Sequence, residues 1–261
     1  MPISWVNGLP LFYRVVGKPG NSTPILLVHG LASSQRDWLL QLPSLCQDRQ
    51  VILVDLRGHG KTGHNSQFSV PAMAEDLHTL MNELNIPYFD LMGISMGGMI
   101  AMAMASSYSG SVRRLILVNT APSLGSLSPF MKCLLPLRRV IAHMPMTLTA
   151  RLMLWQLLPG ETKASLRKHA YRFWSRNKPE VIARLIHCLV NTNLWPRLKD
   201  IRAKTLVIRG EHDFFSPSAA SRICRRIPDA ALVTIRNSGH ATVIDQPAAF
   251  NDAMMDFLQT S

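Results

Sequence analysis

Residues 91–103, LMGISMGGMIAMA, decide the fold, because they box a single serine between glycines. Ser95 stands in Gly93-Ile94-Ser95-Met96-Gly97, with an apolar run before it and small residues after it. An ordinary turn does not need a glycine two positions away on both sides of a serine. The spacing makes sense where the chain turns very tightly from a strand into a helix, because side chains at 93 and 97 would collide with the turn or with neighbouring backbone. Such a corner pushes one hydroxyl out alone above the sheet.

Working outward, residues 3–6 and 9–16 flank Asn7-Gly8, a two-residue hairpin signal. Short leucine- and β-branched-rich runs then recur at 24–30, 50–58, 89–94, 112–119, 203–210 and 230–237. Their continuous apolar character predicts strands covered on both faces, as in a parallel sheet. Helical spacing separates them: Ser69 caps a segment with apolar residues at Val70, Met73, Ala74, Leu77, Leu80, Met81 and Leu84. Further helices are expected from Ser216 or Pro217 to about Arg226 and from about Pro247 to Leu258. The fold class is therefore α/β, a mostly parallel sheet with helices on both faces.

The alternation breaks once. From 122 to 198 no strand pattern appears, only leucine-, methionine- and arginine-rich helical stretches punctuated by prolines. This reads as an inserted cap of three or four helices, so the expected organisation is core 1–121, cap 122–198 and core 199–261.

With 261 residues, 47% hydrophobic and 17% charged, the chain can bury one large core. No apolar run approaches the roughly 20 residues of a membrane span, and the N-terminal stretch lacks the basic and apolar regions of a signal peptide. Cys46, Cys133, Cys188 and Cys224 are far apart and fit neither a metal site nor a disulfide framework. Both observations predict a cytoplasmic protein. Net charge is +12, and residues 122–200 hold 13 basic and 3 acidic residues against 15 and 13 elsewhere. The surplus charge belongs to the cap.

A serine hydroxyl is a weak nucleophile at neutral pH. It needs a base, a group to orient the base, and donors for the oxyanion it creates. His240 follows the last strand and Asp213 the strand before it, so both would emerge at the edge of the sheet that carries Ser95. Glu211 is the competing carboxylate. The expected oxyanion donors are the backbone N–H groups of Leu31 and Met96. His29, His59 and Asp55 read as structural turn residues; the remaining histidines read as surface or packing residues. No metal cluster, phosphate loop or dinucleotide fingerprint is present, and no cofactor is implied.

The segments HGLASS (29–34), DLRGHGKT (55–62), GISMGG (93–98), GEHD (210–213) and Gly239-His240 together resemble the α/β-hydrolases, and the resemblance covers the chain outside the cap. It implies Ser95 as nucleophile, Asp213 as acid and His240 as base. Dehalogenases and epoxide hydrolases of this fold use an aspartate nucleophile, so the serine excludes them. The wording around Ser95 is similar to enol-lactonase-like and small carboxylesterase members, which implies a carboxylic ester or lactone as substrate.

Cap residues Leu134, Leu135, Met144, Met146, Leu152, Met153, Leu154, Trp155, Leu157 and Leu158, with Met96 and Met99, suggest an apolar acyl or ring-bearing substrate. Lys168, Arg172 and Arg176 are spaced four apart, opposite an expected buried stripe of Leu166, Ala170, Phe173 and Trp174. They read as a solvated face or as a docking surface for an acidic partner, such as an acyl-carrier protein. Some α/β-hydrolases, the carrier-protein methyl-ester esterases of biotin synthesis, use basic cap residues in that way. The alternative reading is thus an esterase or thioesterase for a carrier-bound substrate, and a third is a ligand-binding homologue with little turnover. No nucleic-acid motif accompanies the charge.

Overall fold

A computed structural model describes residues 2–64, 68–127, 144–158 and 160–259. The strands are β1 (Ile3–Val6), β2 (Leu9–Val16), β3 (Ile25–Val28), β4 (Val51–Val54), β5 (Phe89–Ile94), β6 (Val112–Val118), β7 (Lys204–Gly210) and β8 (Ala230–Ile235). They form one eight-stranded sheet in the order β1-β2-β4-β3-β5-β6-β7-β8. The pairings β1–β2 and β2–β4 are antiparallel, and the other five are parallel. Asn7 and Gly8 form the hairpin turn at φ 49° and 72°, the left-handed geometry the Asn-Gly pair favours.

The helices are α1 (Leu42–Leu45), α2 (Val70–Glu83), α3 (Met96–Ser107), α4 (Met146–Leu157), α5 (Ala164–Trp174), α6 (Pro179–Val190), α7 (Pro217–Arg226), α8 (Thr242–Asp245) and α9 (Pro247–Gln259). Ser69 caps α2 as its spacing predicts, its Oγ accepting from the N–H of Ala72 at 3.1 Å. The central strands are buried throughout, and successive residues pack on opposite faces. Leu26, Val28 and Leu91 pack with α2, α3 and α6 on one face. Ile25, Leu27, Met92 and Ile94 pack with Trp38, Phe250 and Met254 on the other. Two cores flank one sheet, which is why the central strands read as unbroken apolar runs.

Strand β8 departs from that expectation: five of its six residues are half-buried or exposed, and Leu232 is 37% exposed. It is the terminal strand, with a partner on one side only. Helices α1 and α8, single turns, leave too short a period to be read from sequence. Between β6 and β7 the described residues carry α4, α5, α6 and short 3₁₀ turns and no named strand. The expected lining residues Leu134 and Leu135, and Cys133, lie outside the described residues. None of the described helices is long and apolar enough to cross a membrane.

The turn between β5 and α3 is as tight as its glycines imply. A Cβ on Gly93 would overlap the carbonyl oxygen of Gly97, and one on Gly97 would overlap the carbonyl oxygens of Val28 and His29. Both obstacles are backbone and cannot swing aside. Gly93→Ala or Gly97→Ala should therefore lower unfolding free energy by about 3 kcal/mol or more, as overpacking at a strained site does. Urea unfolding followed by circular dichroism measures this; a loss below about 0.5 kcal/mol would show that the turn relaxes freely.

Candidate active site

Parallel strands end at one edge of the sheet, and five chain segments leave that edge together. Ser95 follows β5 with φ 55° and ψ −118°, a left-handed conformation that an L residue holds only under constraint. The constraint is a set of backbone bonds. The Ser95 N–H donates to Val118 at 2.9 Å, and its carbonyl accepts from Thr120 Oγ1 at 2.7 Å and from the N–H groups of Gly98 and Met99 at 3.0 and 3.2 Å. The side chain is the part left unheld.

Asp213, three residues beyond the end of β7, accepts a hydrogen bond from Nδ1 of His240 at 2.6 Å. Both side chains are nearly enclosed, at 2% and 6% exposure. In water such a pair is weak; enclosed, it fixes which ring nitrogen carries the proton and leaves Nε2 as an acceptor. Glu211 is placed otherwise: its carboxylate accepts from the N–H of Asn237 at 2.9 Å at the surface. Ser95 and His240 line the same pocket, and no hydrogen bond joins the serine hydroxyl to the ring among the described residues.

Phe214 and Asn119 were not singled out in the sequence. The ring of Phe214 stacks on the imidazole of His240 with centroids 3.8 Å apart, clamping the ring plane. The buried Asn119 amide ties three strand ends together: Nδ2 donates to the His240 carbonyl at 2.6 Å, and Oδ1 accepts from the Gly210 N–H at 2.7 Å. Position could have flagged Phe214, which adjoins Asp213; Asn119 has only its place at the end of β6 to mark it. Asp245 accepts from the Gly239 N–H at 2.7 Å and pairs with Lys163 from the helical segment above, steadying the same loop.

Opposite the triad-like cluster runs the 29–32 loop. A Cβ on Gly30 would lie 3.5 Å from Ser95 Cβ, so this loop borders the serine. Leu31 lines the pocket, and its N–H has no backbone acceptor among the described residues. Met96 is the first residue of α3, where the N–H has no carbonyl one turn back within the helix. Two N–H groups thus flank the serine.

The loop is held by two buried histidines. His29 Nδ1–H donates to the Gly30 carbonyl at 2.7 Å while Nε2 accepts from Leu56 N–H at 3.0 Å. His59 donates to the Arg57 carbonyl at 3.1 Å and accepts from Ala32 N–H at 3.0 Å. Each ring needs one protonated and one bare nitrogen, so both are neutral, and burial pushes them down to about 4 and about 3. The structural reading of His29, His59 and Asp55 holds: Asp55 accepts from Gln35 N–H at 3.0 Å and Lys61 N–H at 2.9 Å.

The pocket over Ser95 has a volume of about 150 Å³. Met153, Leu154, Leu157, Leu158, Ala170 and Trp174 from α4, the turn after it and α5 roof it, and Asp37 is its acidic wall residue. Burial pushes the Asp37 carboxyl up to about 6, against the lowering effect of hydrogen bonds from Ser33 and from the Gly30 N–H.

Three expectations need correction. Met96 and Met99 are buried in the core beneath the turn, and neither side chain lines the pocket. Leu152 and Trp155 point outward, both 55% exposed, because they fall on the solvent side of α4. The stripe of Leu166, Ala170, Phe173 and Trp174 is half-covered rather than buried, since part of it faces the pocket. Lys168, Arg172 and Arg176 are all exposed as expected, but Lys168 and Arg176 line different clefts.

The model of the alpha/beta hydrolase family matches residues 25–253. The chain is 28% identical over 270 residues to the sn-1-specific diacylglycerol lipase ABHD11 of Mus musculus, covering 96% of this chain and 85% of that protein. Among solved structures, the enol-lactonase from Burkholderia xenovorans LB400 is 27% identical with a TM-score of 0.91, covering 99% of this chain and 100% of that one. A thermophilic esterase from Thermogutta terrifontis is 26% identical with a TM-score of 0.85, covering 98% and 96%.

The two neutral histidines set a pH dependence of stability. In the unfolded chain each ring takes up a proton below about pH 6.5, whereas the fold resists uptake until about 4 for His29 and about 3 for His59. Their contribution is complete above pH 6.5 and is lost as pH falls toward those values, roughly 3 kcal/mol for His29 at the limit. His59→Gln keeps an acceptor for Ala32 but cannot titrate. Urea midpoints measured from pH 7 to 4.5 should fall less steeply for this variant than for the wild type. Parallel slopes would mean that His59 takes up its proton as readily in the fold as in the unfolded chain.

Proposed function

We propose, on the premise that the chain belongs to the alpha/beta hydrolase family, that it is a serine hydrolase cleaving a short carboxylic ester or lactone through an acyl-enzyme on Ser95. The observation that carries this reading is the enclosed His240–Asp213 hydrogen bond of 2.6 Å, opening onto the pocket that a strained serine enters. The enol-lactonase and esterase likenesses support the substrate class.

In this mechanism the ester carbonyl sits between Ser95 and the N–H groups of Leu31 and Met96. His240 Nε2 takes the hydroxyl proton as Oγ attacks, and substrate binding closes the serine–histidine hydrogen bond. Negative charge moves onto the carbonyl oxygen, where the two N–H dipoles are already aimed. Collapse expels the alkoxide, which leaves with the proton from His240. Water then attacks the acyl-enzyme with His240 again as base, releasing the acid and restoring Ser95. Asp213 holds the tautomer and offsets the charge of the imidazolium without itself being protonated. Helices α4 to α6 act as the cap of the site. Its apolar roof excludes water, which strengthens each of these interactions.

The volume of about 150 Å³ limits the acyl group, since a cavity of that size holds on the order of one benzene ring. Among p-nitrophenyl esters, acetate and butyrate should therefore exceed decanoate in kcat/KM by about tenfold or more. Equal rates across the series would contradict a pocket that limits the acyl group.

Ser95→Ala and His240→Ala should each reduce ester hydrolysis by roughly 10⁴- to 10⁶-fold with circular dichroism unchanged. Asp213→Asn should cost roughly 10⁴-fold at neutral pH, whereas Glu211→Gln should cost little. A reversal of that last pair, read from kcat/KM on p-nitrophenyl butyrate, would move the acid to Glu211.

A further inference from the structure

A second cleft, of about 560 Å³, lies beside the pocket over Ser95, and Ser33 lines both. Its walls come from β2, the 33–39 turn, the 55–61 turn and the end of α5, and they bring Arg14, Arg36, Lys61 and Arg176 together. These cations come from four separate stretches of chain, so no sequence run announced them. Among the described residues, no carboxylate lies within ion-pair distance of Arg14, Arg36 or Arg176.

Two of the four are held in place by the cleft walls themselves. The Arg36 guanidinium lies 4.4 Å from the ring centre of Phe173, and Lys61 Nζ lies 4.9 Å from that of Phe12; both rings line the cleft. Such contacts restrict the cation side chains before any ligand arrives, lowering the ordering cost of binding. Asp55 is the acidic residue of the lining, and it offsets at most one of the four positive charges. It is buried, and its two oxygens are taken by the N–H groups of Gln35 and Lys61. The Gln35 side chain is 7% exposed, and its Oε1 has no hydrogen-bond partner. That oxygen only accepts, so it suits a P–OH or carboxylic O–H of a ligand and not a charged oxygen.

We propose that this cleft binds a multiply charged anionic group, a phosphate or polycarboxylate, carried by the substrate whose acyl carbon reaches Ser95. Like charges focused in a walled cleft attract such a group far more strongly than the same charges spread over a surface, and arginine forks suit both oxyanion types. The substrate assignment rests on the esterase reading; the anion site does not. The substrate is then a small acyl group joined to a charged tail: the acyl end is limited by about 150 Å³ and the tail has about 560 Å³.

Calorimetry with inorganic pyrophosphate and with citrate tests the site directly. Wild-type protein should bind at least one of them, and Arg14→Glu/Arg176→Glu should weaken that binding more than tenfold. Lys199→Glu/Arg202→Glu, which makes the same change in net charge at exposed positions elsewhere, should weaken it by less than threefold. The stronger of the two anions identifies the tail chemistry. Absence of binding to both, or equal weakening by the two double variants, would overturn the proposal. The substrate assignment is read from the ratio of kcat/KM for butyryl-CoA to that for butyryl-pantetheine, which share the scissile bond and differ in the phosphorylated adenosine tail. The ratio should fall more than tenfold in Arg14→Glu/Arg176→Glu. An unchanged ratio alongside lost pyrophosphate binding would make the cleft a site for a separate anion. Failure of the wild type to hydrolyse any ester or thioester would defeat the esterase reading while leaving the calorimetric result standing.

Discussion

The architecture of the site depends on one strained residue. Ser95 keeps a positive φ because its N–H and carbonyl are bonded on either side, to Val118 and to Thr120. The strain is tolerable because Gly93 and Gly97 clear the space that the turn needs against the end of β3. Everything around it follows from parallel topology. Strands running in the same direction end at the same edge, so the residues after β3, β5, β6, β7 and β8 converge although they are far apart in the chain. A carboxylate 27 positions before a histidine reaches it only because β7 and β8 are neighbours.

Rigidity of the 29–32 loop beside Ser95 has a different source. His29 and His59 each donate one hydrogen bond and accept another, linking the 29–32 loop to the 55–59 turn. Deep burial keeps both neutral, and that is what allows the bare nitrogens to accept backbone N–H groups. On the other side, Asn119, Phe214 and the Lys163–Asp245 pair fix the loop carrying His240. The Lys163 contact joins the helical segment to the core at that loop, so the cover of the proposed site and its base are mechanically linked.

Much of this was legible because short-range chemistry forces it. The glycine box demanded a tight turn, Asn7-Gly8 demanded a hairpin, and unbroken apolar runs demanded strands covered on both faces. The positions of Ser95, Asp213 and His240 after successive strands implied their meeting, and Asp213 and His240 do meet. What sequence could not give was orientation within helices of mixed pattern. Met96 and Met99 follow the serine but turn into the core, while Leu152 and Trp155 turn to solvent. The spacing of Lys168, Arg172 and Arg176 predicts one basic stripe, but Arg176 lies past the end of α5 and joins Arg14, Arg36 and Lys61 instead. That grouping is set by tertiary contact and has no linear signature.

The central claim is a covalent acyl intermediate on Ser95, and trapping it is the most direct measurement. Protein mixed rapidly with p-nitrophenyl butyrate and quenched in acid within the first turnover should release close to one equivalent of nitrophenolate in a burst. Peptide mass spectrometry of the same samples should place one butyryl group on the peptide containing Ser95 and on no other. Turnover without that adduct, or an adduct on a different residue, would contradict the account.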